Sequence, residues 1–268
     1  MPEKMSGCGV SGTDERLASI RRLEELALAA WPAFMTTHDG GYALRLAAGY
    51  TKRANSMNAL YADRCEAEPD LAARIDRAEA TYARHGLGCI VRLTSLAAPG
   101  LDAMLAARGY RHADETLVML APRIVGATDR RVEVRLGVEP DWVEAYAATT
   151  KLTPEQTGTL AHMMRLVAPV HATARVTVAG RMVGFGLGVV DRGHIGAYEI
   201  LTAPEARRQG LGRAIMASLL AWGARQGATA GYLQVVAANT PAISIYRALG
   251  YREHYRYHYR IQPKEPRA

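Results

Sequence analysis

The sequence predicts an α/β (α+β) fold made of two related units. Three observations support this class: strand patterns alternate with helix patterns, the two halves resemble each other, and Pro122 and Gly126 interrupt the pattern between them. The chain of 268 residues is long enough for two domains of ordinary size. We expect a flexible N-terminus over residues 1–16, a first domain over 17–122 and a second over 131–262.

The resemblance between the halves lies at an offset of 141 residues, which places residues 71–120 over residues 212–261. "AEATYARHG" then faces "LLAWGARQG", and each reads as the end of an amphipathic helix stopped by glycine. "LDAMLAARGYRH" faces "AISIYRALGYRE", where a short helix is followed by a Gly-Tyr-Arg break and a strand. The order of elements therefore repeats.

The second half predicts a regular series of elements. Helices are expected over residues 140–149 and 153–167, followed by β-rich runs around turns at Gly180 and at residues 191–193. A longer helix keeps one apolar face from Leu211 to Trp222, and a strand and a short helix follow it. The last strand, "YREHYRYHYRI", places its tyrosines on one face and its arginines and histidines on the other.

Composition and charge limit the classes of function that are expected for this chain. Residues 1–130 hold 16 basic and 16 acidic residues, so the net charge of +7 comes from residues 131–268. No apolar run reaches the roughly 20 residues of a membrane span, so no membrane partner is expected. The three cysteines lack CxxC spacing, and no secretory signal is visible. We expect a cytoplasmic protein without a metal site.

The stretch "EARRQGLGRAIM" (205–216) joins a strand to a helix through a glycine turn. A helix N-terminus exposes unpaired N–H groups, and Gly210 and Gly212 allow a ligand to approach the backbone closely. The turn lacks the GK[ST] ending of a P-loop and the third glycine of a dinucleotide fold. The pattern indicates an anion site formed by the main chain, with a positive field from Arg207, Arg208 and Arg213.

Two blocks of the second half resemble GNAT acetyltransferases. "RRQGLG" matches their (Q/R)xxGx(G/A) signature, and "LQVVAANTPAISIYRALGY" is similar to their next block. The resemblance covers roughly residues 131–262. It implies a mixed, mostly antiparallel twisted sheet flanked by helices in each unit. It also implies direct transfer of an acetyl group from acetyl-CoA to an amine of a small metabolite, peptide or protein.

The resemblance also implies the site residues. The CoA pyrophosphate would rest on the amides of residues 208–213, and the pantetheine arm would pair with residues 200–202 like an extra strand. Tyr246 matches the residue that protonates the departing thiolate, which a phenol with a pKa near ~10 can do. The implied cofactor-binding residues are Ile200, Leu201, Thr202, Arg207, Arg208, Gln209, Gly210, Leu211, Gly212, Arg213 and Asn239.

Direct transfer needs a base for the attacking amine, and Glu199 is the first candidate, followed by His194 and Tyr198. Strand alternation places Glu199 and Leu201 on the face opposite Tyr198 and Ile200, unless a bulge intervenes. Which face meets the substrate stays open at this point.

The first half does not carry the cofactor signature. At the 141-residue offset, residues 207–212 fall on "EAEPDL" (66–71), which has no glycine and three acidic residues. This half resembles the degenerate unit of tandem GNAT proteins. A second stretch, "GYALRLAAGYTKRANSMNAL" (41–60), clusters Arg45, Lys52, Arg53 and Asn55. These residues either help to build an acceptor site near the junction of the halves or form a strand and loop solvated by charge.

Two other classes of function compete with an enzyme. A protein that binds acyl-CoA without chemistry would keep the turn, although the presence of Tyr246 argues against it. A nucleic-acid binder would use the interleaved aromatic and basic residues of "YREHYRYHYR". Alternation makes this a half-buried strand instead, so nucleic acid is not expected as a partner. A homodimer is left open.

Overall fold

The computed structural model describes residues 12–61 and 71–263, and its elements confirm the predicted α/β class. The described α-helices are α1 Gly12–Ala30, α2 Leu71–Arg84, α3 Leu101–Ala107, α4 Pro140–Thr150, α5 Pro154–Arg165, α6 Leu211–Arg225 and α7 Thr240–Ala248. The described strands are β1 Met35–Asp39, β2 Tyr42–Leu46, β3 Met57–Ala59, β4 Ile90–Leu93, β5 Arg111–Ala121, β6 Glu133–Leu136, β7 Val170–Val178, β8 Arg181–Asp191, β9 His194–Thr202, β10 Ala230–Val236 and β11 Arg252–Ile261. None of the described helices combines the length and apolar character that a membrane crossing requires.

All eleven described strands form one sheet, in the order β1-β2-β3-β4-β11-β5-β10-β9-β8-β7-β6. The pairs β3–β4 and β9–β10 are parallel, and the other described neighbours are antiparallel. The sheet is therefore mixed and mostly antiparallel, as the resemblance implies for each unit, and it runs through both halves as one sheet.

The 141-residue offset relates whole elements of the structure. Helices α2 and α6 end at equivalent residues, Arg84 and Arg225, and so do α3 and α7, at Ala107 and Ala248. Strands β5 and β11 begin at equivalent residues, Arg111 and Arg252. One expectation at the N-terminus is corrected, because α1 begins at Gly12 and residues 12–16 are helical rather than flexible. Residues 1–11 lie outside the described part of the chain.

The last strand of each half pairs with the other half. Strand β11 belongs to the second half in sequence, yet it lies between β4 and β5 of the first half. Strand β5 ends the first half and pairs with β10 of the second, from Gly231–Ala121 to Val236–Thr116. The halves therefore exchange their final strands within one continuous hydrogen-bonded sheet.

Buried polar contacts hold the exchanged strand β11 in the first half. Glu24 of α1 forms an ion pair with Arg92 of β4, and both side chains are almost fully buried. The Tyr255 hydroxyl of β11 donates to Glu24, and the Arg92 guanidinium lies 3.6 Å from the centroid of the Tyr257 ring. Without β11, this buried ion pair would lose the hydrogen bond from Tyr255 and the ring of Tyr257 that packs on it.

Strand β8 separates two layers of helices through the alternation of its residues. Gly184, Gly186 and Gly188 face α6, where a Cβ at Gly186 would lie 2.7 Å from Ile215. The alternate residue Phe185 contacts the rings of Trp142 and Tyr146 in α4 on the other face. Because the three glycines have no side chains, α6 packs close to this face of the sheet. This close packing positions the N-terminus of α6 at the edge of β9.

Candidate active site

The arginine–glycine turn forms the N-terminus of α6. Gly210 precedes the helix with φ of +73°, a left-handed conformation that glycine adopts without steric cost. The first intrahelical bond runs from the Ala214 N–H to the Gly210 carbonyl, at 3.0 Å. The N–H groups of residues 211–213 therefore point out of the helix end, where the helix dipole favours an anion.

Arginines surround this turn without closing it. Arg207, Arg208 and Arg213 are exposed at the surface. The Arg207 Nε donates to the Thr202 carbonyl over 3.4 Å, and Arg131 donates to the Gln209 carbonyl over 3.1 Å. The turn is thus tied to the end of β9 and keeps a positive field around the exposed amides.

Strands β9 and β10 separate beside the turn, and we call this opening the splay. Their parallel ladder runs from the pair Ala230–His194 to the pair Leu233–Ala197. On its other edge β9 continues to pair with β8 as far as Thr202. The predicted cofactor residues 200–202 therefore lie on a strand segment past the end of the β9–β10 ladder. A flat extended ligand could pair there with the backbone.

A β-bulge in β9 breaks the alternation that the sequence predicts. Leu187 pairs with Tyr198 and Phe185 with Leu201, so two residues, Glu199 and Ile200, face one. Glu199 has φ of +50°, a left-handed conformation that costs a residue with a side chain about 1–3 kcal/mol.

The bulge places Tyr198 and Glu199 on the same face. Arg53 lies over the ring of Tyr198 and also contacts the Glu199 carboxylate. The next side chain, Ile200, faces the α6 side, where it packs near Gly186. The expectation that Glu199 and Tyr198 lie on opposite faces is thus wrong, because the extra residue shifts the register.

Among the described residues, two groups bind the carboxylate of Glu199, whose side chain is only 14% exposed. The Arg53 Nη2 lies 3.3 Å from Oε1, and the Tyr146 hydroxyl donates to Oε2. Burial and the Glu199 charge raise the pKa of Tyr146 well above its usual range, and the same causes raise the pKa of Tyr50. Both phenols therefore stay protonated at neutral pH, and Tyr146 acts as a donor.

Tyr246 packs on the α6 face of the sheet, opposite the face on which Glu199 contacts Tyr146. It is buried on α7 among residues of the α6 core, and its ring meets that of Tyr251 edge-on at 6.2 Å. Burial raises the pKa of Tyr246 to about 12, so its hydroxyl keeps its proton at neutral pH. Asn239 caps α7, because its Oδ1 accepts from the Ala242 N–H over 3.3 Å.

His194 and Tyr198, the other two candidates for the base, lie in positions that do not suit this role. His194 lies at the first residue of β9 and contacts the Arg192 carbonyl, roughly 16 Å along the strand from Glu199. Tyr198 is buried, and its hydroxyl donates to the Tyr232 hydroxyl over 2.9 Å. Burial raises the pKa of Tyr198 to about 12, which disfavours it as a base.

The first half contacts strands β9 and β10 of the second half. A cavity of about 200 Å³ is lined by Arg53 together with Gln234 and Val236 of β10, the strand on the far side of the splay. The contact of Arg53 with Glu199 favours the first of the two interpretations of residues 41–60, a role near the junction of the halves. The segment "EAEPDL" falls on residues 66–71, of which only Leu71, the first residue of α2, lies within the described part.

Tyr146 was not identified from the sequence. Its spacing on α4 marks it only as part of the buried helix face. In the part of the chain that the structure describes, one group could hold a metal: His112, Glu115 and His258, whose ligand atoms lie within 4.8 Å of one another. The spacing of these three residues in the sequence does not indicate this group, because they come together only when β5 pairs with β11.

The tyrosines of the last strand are buried, as alternation predicts. Tyr255, Tyr257 and Tyr259 are each 3% exposed, while Arg256 is exposed and forms an ion pair with Glu253. Bases of a single strand would need exposed aromatic faces to stack on. This strand therefore lacks the surface that the nucleic-acid interpretation requires.

Comparison with known proteins identifies relatives along almost the whole chain. The family described as "Probable histone acetyltransferase Rv0428c C-terminal" matches residues 17–260. The chain is 30% identical over 249 residues to "Uncharacterized N-acetyltransferase YobR" of Bacillus subtilis, and the match covers 91% of this chain and 98% of the relative.

Solved structures share the fold. A GCN5-related N-acetyltransferase from Kribbella flavida superposes with a TM-score of 0.62 at 17% identity, covering 91% of this chain and 96% of that one. A tandem GNAT protein from the clavulanic acid biosynthesis pathway gives a TM-score of 0.58 at 14% identity, covering 95% and 97%. The two-unit architecture therefore has a counterpart of the same extent.

Proposed function

This chain belongs to the Rv0428c C-terminal family of GNAT N-acetyltransferases, and we propose that it transfers an acetyl group from acetyl-CoA to an amine. The acceptor is a small metabolite amine or an amine of a peptide or protein. The division into a first unit over 17–122 without cofactor contacts and a catalytic unit over 131–262 is part of this proposal. The exchange of β5 and β11 means that neither unit is complete by itself.

The described residues fit acetyl-CoA in three respects. The N–H groups of residues 211–213 and the dipole of α6 suit a pyrophosphate, and Gly210 presents no side chain to it. Arg207, Arg208 and Arg213 supply positive charge around the turn. Residues 200–202 of β9, past the end of the β9–β10 ladder, offer backbone groups to an extended pantetheine arm. The proposed contacts Gln209, Leu211 and Gly212 belong to the same turn, and Asn239, which caps α7, is proposed as a further contact.

Bound acetyl-CoA supplies a thioester whose carbonyl carbon can accept an amine. In the proposed reaction a C–N bond forms, the C–S bond breaks, and one proton leaves the amine while one reaches the thiolate. Glu199 takes the amine proton, directly or through a water molecule. Tyr246, whose phenol is protonated at neutral pH, donates to the sulfur.

The single observation that carries this proposal is the splay between β9 and β10. The helix N-terminus of the turn lies at one end of it, Tyr246 packs on one face of the sheet, and Glu199 lies on the other face. The proposal assigns the phosphate site, the proton donor and the proton acceptor to this opening.

Tyr246→Phe tests the assignment of the proton donor. We expect kcat to fall by about 10²–10⁴ because general acid catalysis contributes that range, with binding of CoA retained. Free-thiol release from acetyl-CoA, measured with a panel of small amines and peptides, gives the readout.

Tyr251→Phe is the matched control for this test. Tyr251 contacts Tyr246, and among the described residues its buried hydroxyl has no hydrogen-bond partner. We expect this variant to keep its activity. A wild-type chain that binds CoA but releases no thiol with any amine would point to a sensor, and equal activity of Tyr246→Phe and wild type would remove Tyr246 from the mechanism.

A further inference from the structure

A loop of the first half, residues 47–55, is held rigid by its own buried side chains. Asn55 is 3% exposed, and its Oδ1 accepts from the N–H groups of Ala47 and Gly49 at 2.7 and 2.9 Å. Its Nδ2 donates to the carbonyls of Ala47 and Thr51, at 3.3 and 2.8 Å. One amide side chain thus satisfies four backbone groups and fixes the path of the loop.

Arg45 fixes the loop to the end of α1. It is 3% exposed, and its guanidinium donates to the carbonyls of Arg53, Leu28 and Trp31, the first two at 2.8 and 3.1 Å. Trp31 in turn donates its Nε1–H to the Thr51 hydroxyl over 3.0 Å. Burial lowers the pKa of Arg45 to about 10, so it stays charged at neutral pH. The buried Arg45 guanidinium thus holds the backbone carbonyl of Arg53 in place.

The loop presents Arg53 to the second half. The guanidinium lies 4.9 Å from the ring centroid of Trp31 and 5.7 Å from that of Tyr198, and its Nη2 contacts Glu199. Burial lowers the pKa of Arg53, but the Glu199 charge and neighbouring phenols outweigh this and raise it overall. Arg53 therefore stays positively charged beside Glu199.

We propose that Arg53 is a positioning residue of the transfer reaction, contributed by the first half to the centre of the second. The inference rests on the proposed role of Glu199. The carboxylate has two oxygens, one bound by Arg53 and one by Tyr146, so its plane is fixed beside the splay. Without Arg53, one oxygen loses its charged partner and the carboxylate can turn away from the amine.

A double-mutant cycle between Arg53→Ala and Glu199→Gln tests this role. We expect Arg53→Ala to lower kcat by about 10- to 100-fold with little change in KM for acetyl-CoA, because the turn at α6 is untouched. In the Glu199→Gln background the same change has no further effect on kcat. Arg53→Lys keeps the charge but loses the planar fork, and it recovers part of the activity.

Arg192→Ala is the matched control for general loosening of the halves. Arg192 also joins the two halves, through an ion pair with Glu25 at 2.8 Å, but it lies in the turn before β9, away from Glu199. The Arg192→Ala variant keeps full activity if the inference holds. Thermal unfolding of each variant, followed by circular dichroism, shows that it is folded.

Three results would overturn the role of Arg53. They are unchanged kcat in Arg53→Ala, additive losses in the double mutant, and an equal loss in Arg192→Ala. If the wild-type chain has no activity with any amine, the proposed function fails instead. Activity in the wild type with any of the three results removes only the role of Arg53.

Discussion

Glu199 takes a backbone conformation that is costly for a residue with a side chain, and its neighbours offset that cost. Its carboxylate binds Arg53 and Tyr146, two residues that come from different halves of the chain. Charge-assisted hydrogen bonds of this kind contribute about 1.5–3 kcal/mol each, which is comparable with the strain. The bulge is therefore held by the contacts that also orient the carboxylate.

Buried tyrosines predict a loss of stability at high pH. Burial raises the pKa of Tyr198 and of Tyr246 to about 12, against a value near ~10 in the unfolded chain. Their contribution is fully present below pH ~10 and is lost as pH rises toward 12, because the unfolded chain then binds fewer protons than the folded one. Each tyrosine lowers the free energy of unfolding by up to about 1.4 kcal/mol per pH unit.

Urea unfolding at pH 8, 10 and 11 measures this loss, and tyrosinate absorbance reports the ionisation. Tyr246→Phe serves as the comparison, because it removes one of the tyrosines whose pKa is raised and should reduce the slope of stability against pH by up to about 1.4 kcal/mol per pH unit. Identical pH dependence in wild type and variant would show that Tyr246 does not contribute.

At the scale of elements, the packing of α6 on β8 depends on three glycines. A Cβ added at Gly186 would lie 2.7 Å from Ile215 and 3.0 Å from Leu219 and Ile200. These atoms are the ends of side chains, so they can shift, but overpacking of this kind costs about 1–3 kcal/mol. Gly186→Ala is therefore expected to lower the urea midpoint and to displace the N-terminus of α6, which weakens CoA binding.

Gly158→Ala provides the control for this substitution. Gly158 lies within α5, and no described atom comes within 4 Å of a Cβ placed there. Alanine favours a helix over glycine by about 1 kcal/mol, so the same substitution should stabilise the protein here. If Gly186→Ala were equally stabilising, close packing of α6 on β8 would not matter to the fold.

The elements themselves were largely predictable from local sequence. The helix start after Gly210 and the alternating tyrosines of β11 follow from glycine, dipole and period-two arguments that need no partner. The bulge at Glu199 was not predictable, since it is defined by the register against β8. Arg53 and Glu199 are 146 positions apart, and the sequence around either residue does not indicate that the two side chains meet.

The whole molecule depends on the exchange of β5 and β11. A chain ending at residue 249 lacks β11, which leaves β4 and β5 without their shared neighbour and the ion pair of Glu24 and Arg92 without Tyr255. We expect this chain to lose cooperative unfolding in both halves, because each contributes a strand to the other.

Circular dichroism melting and size-exclusion chromatography compare this truncation with a chain ending at residue 263, which keeps every strand. A cooperative transition in the shorter chain, with CoA binding intact, would show that the second half is independent of its final strand. The 141-residue repeat could not predict the exchange, because equivalent strands fit either position equally well.

The exchange also sets the order in which the protein can fold during synthesis. Strand β4 pairs residue 93 with residue 258, so the first half waits for nearly the entire chain to leave the ribosome. Until then β4 and β5 keep open edges, which are the features that pair with other chains. Two chains made close together can satisfy those edges mutually, each giving its β11 to the other.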